Sequence, residues 1–251
     1  MLKQYDFTMK IPKIEKVYSE ITVKVHGALM YCIPQQDAER LHEQKYHAFS
    51  IYCIPADNYN TVQTRISSLH ESCDVMPETA SKLNFLIIKG AEKAEIIQKS
   101  ELFSTSLKEL LAQTSGRRYR LLFLTPSVFK TAGKETGFPD VTMHFLSVIR
   151  RMNEFEGEQI DFGIFRRAFY RCQFGEWQFR QYDYNVSGIH LPGLTGHADI
   201  VLSLDAGEQE MLKKNLFICV IQRNRRTDRH GHGGIFLLEA LKFFTKALDK
   251  L

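Results

Sequence analysis

The strongest constraint on this fold is an order of hydrophobic patterns that occurs twice along the chain. In the first half, "KVYSEITVKVHG" alternates through Val17, Ser19, Ile21, Val23 and Val25, which predicts a half-buried strand. "GALMYCIPQQDAERLHEQ" then reads as helix, interrupted at Pro34 and restarted with Asp37 as a capping residue. "HAFSIYCIPA" and "KLNFLIIKG" read as two further strands, the second closed by Gly90, and "AEKAEIIQKSE" is rich in helix formers. "LFSTSLKEL" alternates once more. The predicted order is β-α-β-β-α-β over residues 14 to 110, a ferredoxin-like module.

A polar joint, "AQTSGRRYR" with Gly116, separates this module from a second pass. "YRLLFLT" predicts a strand that stops at Pro126, and "PDVTMHFLSVIRRMNEF" an amphipathic helix with Pro139 at its start. "EWQFRQYDYNV" and "GHADIVLSL" predict strands, and "AGEQEMLKKNLFICVIQ" a helix. "GGIFLLEAL" suits a closing strand or a helix, and "LKFFTKALDKL" a helix. The fold class expected is α+β: two tandem ferredoxin-like βαββαβ domains, residues 1–115 and 116–251.

Composition excludes several classes. With 44% apolar and 25% charged residues the chain has an ordinary globular balance, and no apolar run reaches the roughly 18 residues of a membrane span. "MLKQYDFTMKIPKIEK" lacks a signal-peptide core. Five scattered cysteines form no C-x-x-C pair, so neither a disulfide framework nor a metal knuckle is expected, and a cytoplasmic setting fits. The net charge of +4 hints only weakly at an anionic partner. Local clustering says more. Arg150–Arg151, Arg166–Arg167, Arg171, Arg180 and the arginines at 223, 225, 226 and 229 all lie in the second half. In "DFGIFRRAFYRCQFGEWQFRQYDY" aromatic rings interleave with them, the pairing of phosphate-binding cations and base-stacking rings that RNA surfaces use. The alternative is that the rings are core and the arginines a solvated face.

The stretch "RNRRTDRHGHGG", Arg223 to Gly234, is open to three readings: a metal site, a basic loop for nucleic acid, or plain surface. Zinc needs three or four protein ligands. His230 and His232 have no cysteine close in sequence, and four neighbouring arginines repel a cation, so no metal ligand is assigned.

Four landmarks in order resemble one family. "VHGALMYCIPQQDAERLHEQKYHAFSIYCI" at 25–54 is similar to the opening of the CRISPR repeat-processing endoribonucleases of the repeat-associated mysterious protein superfamily. "FLTPSVFKTAG" at 123–133 resembles their connection between halves. "DFGIFRRAFYRCQFGEWQFRQYDYNVSGIHLPGLTGHADIVL" resembles the segment leading to a glycine-bearing strand, here with Gly188, Gly193 and Gly196. "GHG" at 231–233 matches the second half of a glycine-rich stretch, whose first half is replaced here by "RNR" at 223–225.

The resemblance implies cleavage of CRISPR repeat RNA, the precursor crRNA, without metal or other cofactor. The 2′-hydroxyl attacks the adjacent phosphate, leaving a 2′,3′-cyclic phosphate and a 5′-hydroxyl. That chemistry needs a base, an acid and a cation for the phosphorane. By the same resemblance His42 is the general acid or base, Tyr31 its counterpart or positioner, and Lys45 the electrostatic stabiliser. His47 competes with His42 for a proton-transfer role. Spacing alone gives other readings: His42 as a helix C-terminal partner of the dipole, Tyr31 as core, His26 as a structural residue opening its helix, His144 as structural, and His190 and His197 as surface. RNA contacts are expected from Arg223, Arg225, Arg226, Arg229, His230, Gly231, His232 and Gly233, and from Lys130, Arg166 and Arg167. Other CRISPR effector subunits and a second copy of the chain are further expected partners. The alternative function is a non-catalytic RNA-binding subunit of a CRISPR effector complex.

Overall fold

The computed structural model describes residues 1–12, 18–44, 47–56, 60–88, 93–112, 117–127, 129–131, 134–136, 141–155, 157, 159–186, 189–221 and 236–240. They fall into two compact units, Met1–Ser106 and Leu107–Leu251.

The first unit begins with β1 (Leu2–Lys10), followed by α1 (Tyr18–Cys32), α2 (Gln35–Glu43), β2 (Phe49–Pro55), β3 (Thr61–Ser68), α3 (Val75–Lys82), β4 (Phe85–Ile87) and β5 (Lys93–Thr105). Its sheet runs β2-β3-β1-β5-β4 with every neighbour antiparallel. Leaving aside the short edge strand β4, this is the strand order of a ferredoxin-like βαββαβ unit, with β1 and β3 inside. Phe7, Met9, Leu29, Leu41, Phe49 and Ile66 form its most enclosed core.

Three local expectations are corrected here. "YSEITVKVHG" is helix, not strand. Its alternation coexists with a four-residue spacing, and Ile21, Val25 and Leu29 all point inward while Val23 is exposed. The strand that precedes the helix is β1, upstream. "AEKAEIIQKSE" is strand, not helix: Ala94 and Ile96 face the core, Lys93 and Glu95 face out, and pairing with β1 overrides the helix-forming composition. "LFSTSLKEL" is split between the end of β5 and the helix that follows it, and β3 carried no pattern that had been read as a strand. The break at Pro34 is as expected, but Asp37 is not the cap: Pro34 is, its carbonyl accepting the Ala38 amide at 3.0 Å, and Asp37 lies within the first turn of α2.

The second unit contains α4 (Leu107–Ala112), β6 (Arg118–Ser127), β7 (Phe129–Thr131), β8 (Lys134–Thr136), α5 (Val141–Phe155), α6 (Phe162–Tyr170), β9 (Gln173–Val186), β10 (Ile189–Val201), α7 (Ala206–Ile221) and β11 (Phe236–Ala240). Its sheet order, β11-β6-β10-β9, is again ferredoxin-like, so the chain carries the fold twice. "GGIFLLEAL" therefore supplies a strand. Tyr119, Leu121 and Phe123 of β6 are buried, and the Phe145, Phe165 and Phe169 rings of α5 and α6 meet at centroid separations of 5.1 to 5.9 Å. Asp161 caps α6 by accepting the Ile164 amide at 2.8 Å.

Gly196 of β10 holds this sheet together at one point. Its φ is +138°, and a Cβ there would lie 1.9 Å from the Gln178 carbonyl oxygen. It sits between Phe123 and Phe179 in register, and their rings meet across it at 5.2 Å.

Candidate functional site

The first unit's candidate residues are placed by the α1–α2 corner. Leu41 is fully enclosed and fixes the rotation of α2, so the next residue, His42, emerges exposed from the last turn. Tyr31, at the end of α1, is 92% exposed, which overturns its reading as core and leaves its hydroxyl open to a ligand. His47 differs: it is half-buried and edge-on to Phe49 at 5.5 Å. His26 stacks on the same ring at 5.9 Å from the middle of α1 rather than from its start. His26 and His47 thus bracket a core phenylalanine. Lys45 lies outside the described residues. Close to the end of α2, Arg40 is paired with Asp37 at 2.9 Å, and Gln44 accepts a weak hydrogen bond from the Cys73 thiol.

The basic stretch in the second unit, Arg223, Arg225, Arg226, Arg229, His230, Gly231, His232 and Gly233, also lies outside the described residues. Lys130 sits in β7, in register with Glu135 of β8. Arg166 and Arg167 are exposed on α6. Arg151 is 4% exposed, so the basic pair Arg150–Arg151 presents a single cation to solvent. The interleaved rings divide: Phe165 and Phe169 are core, whereas Tyr170, Phe174 and Trp177 are 62%, 48% and 68% exposed. His197 lies 3.9 Å from the Glu176 carboxylate.

Sequence patterning missed one charged cluster. The Asp199 side chain, wholly enclosed, accepts from Arg120 at 2.6 and 3.1 Å and from Arg118 at 3.0 Å. The Arg120 and Arg118 guanidiniums hold its carboxyl below the usual carboxylate range despite burial. Arg120 also reaches Glu176 at 3.3 Å. The residues come from three strands, so no local motif could announce them. Burial pushes the thiols of Cys32 and Cys73 up, and that of Cys172 up to about 11, away from a reactive thiolate. Among the described residues no three His, Cys, Asp or Glu side chains converge as metal ligands, and no helix is long and apolar enough to cross a membrane.

No family model matches the chain. It is 23% identical over 184 residues to a CRISPR-associated endoribonuclease Cas6 of Mycobacterium tuberculosis, covering 69% of this chain and 58% of that protein. It is 28% identical over 155 residues to a Cas6 of Streptococcus thermophilus, covering 60% and 62%. In sequence the chain is thus similar to Cas6 endoribonucleases. It spans about three fifths of the length of these Cas6 relatives. A solved Cas6 product complex superposes with a TM-score of 0.75 at 17% identity, covering 94% of this chain and all of that one, a likeness of fold. The Cas6 fold therefore accounts for both units, including the departures from local pattern in α1 and β5.

Proposed function

We propose that this chain is an endoribonuclease that cleaves CRISPR repeat RNA without metal, by attack of a 2′-hydroxyl on the adjacent phosphate. The observation that carries the reading is the exposure of His42, in the stretch whose sequence resembles the opening of the repeat-processing endoribonucleases. An exposed imidazole can both donate and accept a proton. His42 acts as general acid or base. Tyr31, equally open to a macromolecular ligand, is its counterpart or positioner, and Lys45 stabilises the phosphorane charge. His47 is the weaker candidate, because its ring is engaged against Phe49. The basic stretch at 223–233, with Lys130, Arg166 and Arg167, supplies phosphate contacts.

The test is cleavage of candidate repeat RNAs in EDTA, with end-group analysis. A cyclic-phosphate product is expected, and His42→Ala should lower the rate about 10²- to 10⁴-fold while RNA binding persists. Strict dependence on added magnesium would overturn the mechanism. Full activity of His42→Ala would move the site to His47.

One feature favours a second reading. Arg223 and Arg225 stand where the family has glycines, and arginine adopts positive φ far less readily. Tight repeat binding with no cleavage across several repeats would identify a non-catalytic RNA-binding subunit instead.

A further inference from the structure

The aromatic residues of β9 are brought into one row by a register shift. Strict alternation puts Phe174 and Trp177, three apart, on opposite faces of a strand. Here Phe174 is in register with Ile200 and Trp177 with Ala198, so three residues of β9 oppose two steps of β10. Ala198 and Ile200 share the buried face, and Phe174, Trp177 and Phe179 therefore share it too. The extra residue lies at Gly175–Glu176, where a Cβ on Gly175 would come 3.2 Å from the Asp199 Cβ.

The result is an apolar face that runs beyond its covering helices onto the edge strand of the sheet. Phe179 is anchored on Phe123, Trp177 stacks on Phe179 at 6.1 Å, and Phe174 meets the buried Phe169 edge-on at 5.5 Å. Tyr170 extends the row from α6, 6.4 Å from Phe169. Each exposed ring rests on an inner ring, so its orientation is held while its outer face is free to stack.

Charge selects the ligand. The acids nearby are engaged: Glu208 by Arg171, Glu176 by Arg120, and Asp161 by the α6 amide of Ile164. Arg166 and Arg167, on the helix that carries Tyr170, are exposed and make no ion pair among the described residues, whereas Arg180, next to Phe179 in β9, belongs to the opposite face. Rigid rings flanked by unneutralised guanidiniums suit bases and phosphates together.

We infer that the Tyr170–Phe174–Trp177 row of the second unit is a stacking surface for single-stranded RNA, built from none of the residues proposed for catalysis. It rests on the RNA-binding part of the proposed function. Phe174 and Trp177 stand two ladder steps apart, roughly 7 Å along the strand, room for a short unpaired stretch rather than a duplex face.

Trp177 is the chain's single tryptophan, so intrinsic emission reports this surface alone. The full chain is titrated with unstructured RNA oligonucleotides of about ten nucleotides and with a duplex of equal length, following Trp177 emission and the anisotropy of an end label. Quenching by single strands, with the same midpoint as the anisotropy change and little response to duplex, is expected. Trp177→Ala should bind about 5- to 150-fold more weakly, and Trp177→Phe should retain most of the affinity. Binding that leaves Trp177 emission unchanged, or affinity unaffected in Trp177→Ala, would overturn the inference. So would an emission change that follows protein concentration without RNA, which would assign the row to a second copy of the chain. The oligonucleotides carry no repeat, so the outcomes separate. A chain quenched by these oligonucleotides that cleaves none of the candidate repeat RNAs keeps the stacking surface and loses the nuclease reading, and one that cleaves repeat RNA without quenching does the reverse.

Discussion

Replacing Gly196 with alanine tests the register of the second sheet directly. The new methyl would lie 1.9 Å from the Gln178 oxygen, 2.9 Å from its carbonyl carbon and 2.9 Å from the Phe179 Cα. All three are backbone atoms of β9, so no side chain can rotate away, and the strands must part by about 1 Å to restore a tolerable contact. Parting breaks one or two ladder hydrogen bonds, at about 0.5–1.5 kcal/mol each. The positive φ adds roughly 1–3 kcal/mol of strain once a Cβ is present. The expected loss is about 2–5 kcal/mol, a large fraction of the 5–15 kcal/mol typical of a domain. Urea denaturation at 25 °C, followed by the near-ultraviolet signal of the aromatic core, measures it. With a slope of about 1–3 kcal/mol per molar, the midpoint of the transition that reports the second unit should fall by about 1 M or more. Gly207→Ala is the control: the site is in the first turn of α7, a Cβ there meets nothing nearer than 3.7 Å, and replacement should be neutral or stabilising by up to about 1 kcal/mol. A Gly196→Ala midpoint within about 0.2 M of the parent would refute the strand register itself.

Two further predictions concern charge. The Asp199 carboxyl is held below its ordinary value, so its contribution to stability is complete above the unfolded carboxyl's range near pH 4 and is lost as pH falls through the lower folded value. Acid titration of the second unit's unfolding should show this loss in the parent and not in Asp199→Asn; equal acid sensitivity in both would deny the role of Arg118 and Arg120. In the first unit, Arg65 donates to Asp6 twice at 2.7 Å and lies over the Tyr52 ring, with both charged side chains largely buried. Asp6→Leu alone should cost about 3–5 kcal/mol in urea denaturation, and the double variant Asp6→Leu with Arg65→Met should recover most of it; a double variant as unstable as the single one would show that packing, not the stranded charge, sets the cost.

The sequence by itself determined the fold class and marked His42 as a candidate, and the burial of Leu41 in the structure is what turns His42 outward. The repeated βαββαβ order is legible because each element must bury one face, and burial leaves a period in the chain. His42 follows Leu41, and one enclosed leucine in a short helix decides where its neighbour points. Tertiary structure decided what local pattern leaves degenerate. "YSEITVKVHG" fits two periods at once, and only packing of Ile21, Val25 and Leu29 selects helix. "AEKAEIIQKSE" has helical composition, yet β1 supplies the hydrogen bonds that make it a strand. Asp199 is distant in sequence from Arg118 and Arg120 and meets them only across the ladder. Trp177 joins Phe174 on one face only because the strand gains a residue against its neighbour, a property of pairing between two strands that neither strand's own sequence can express.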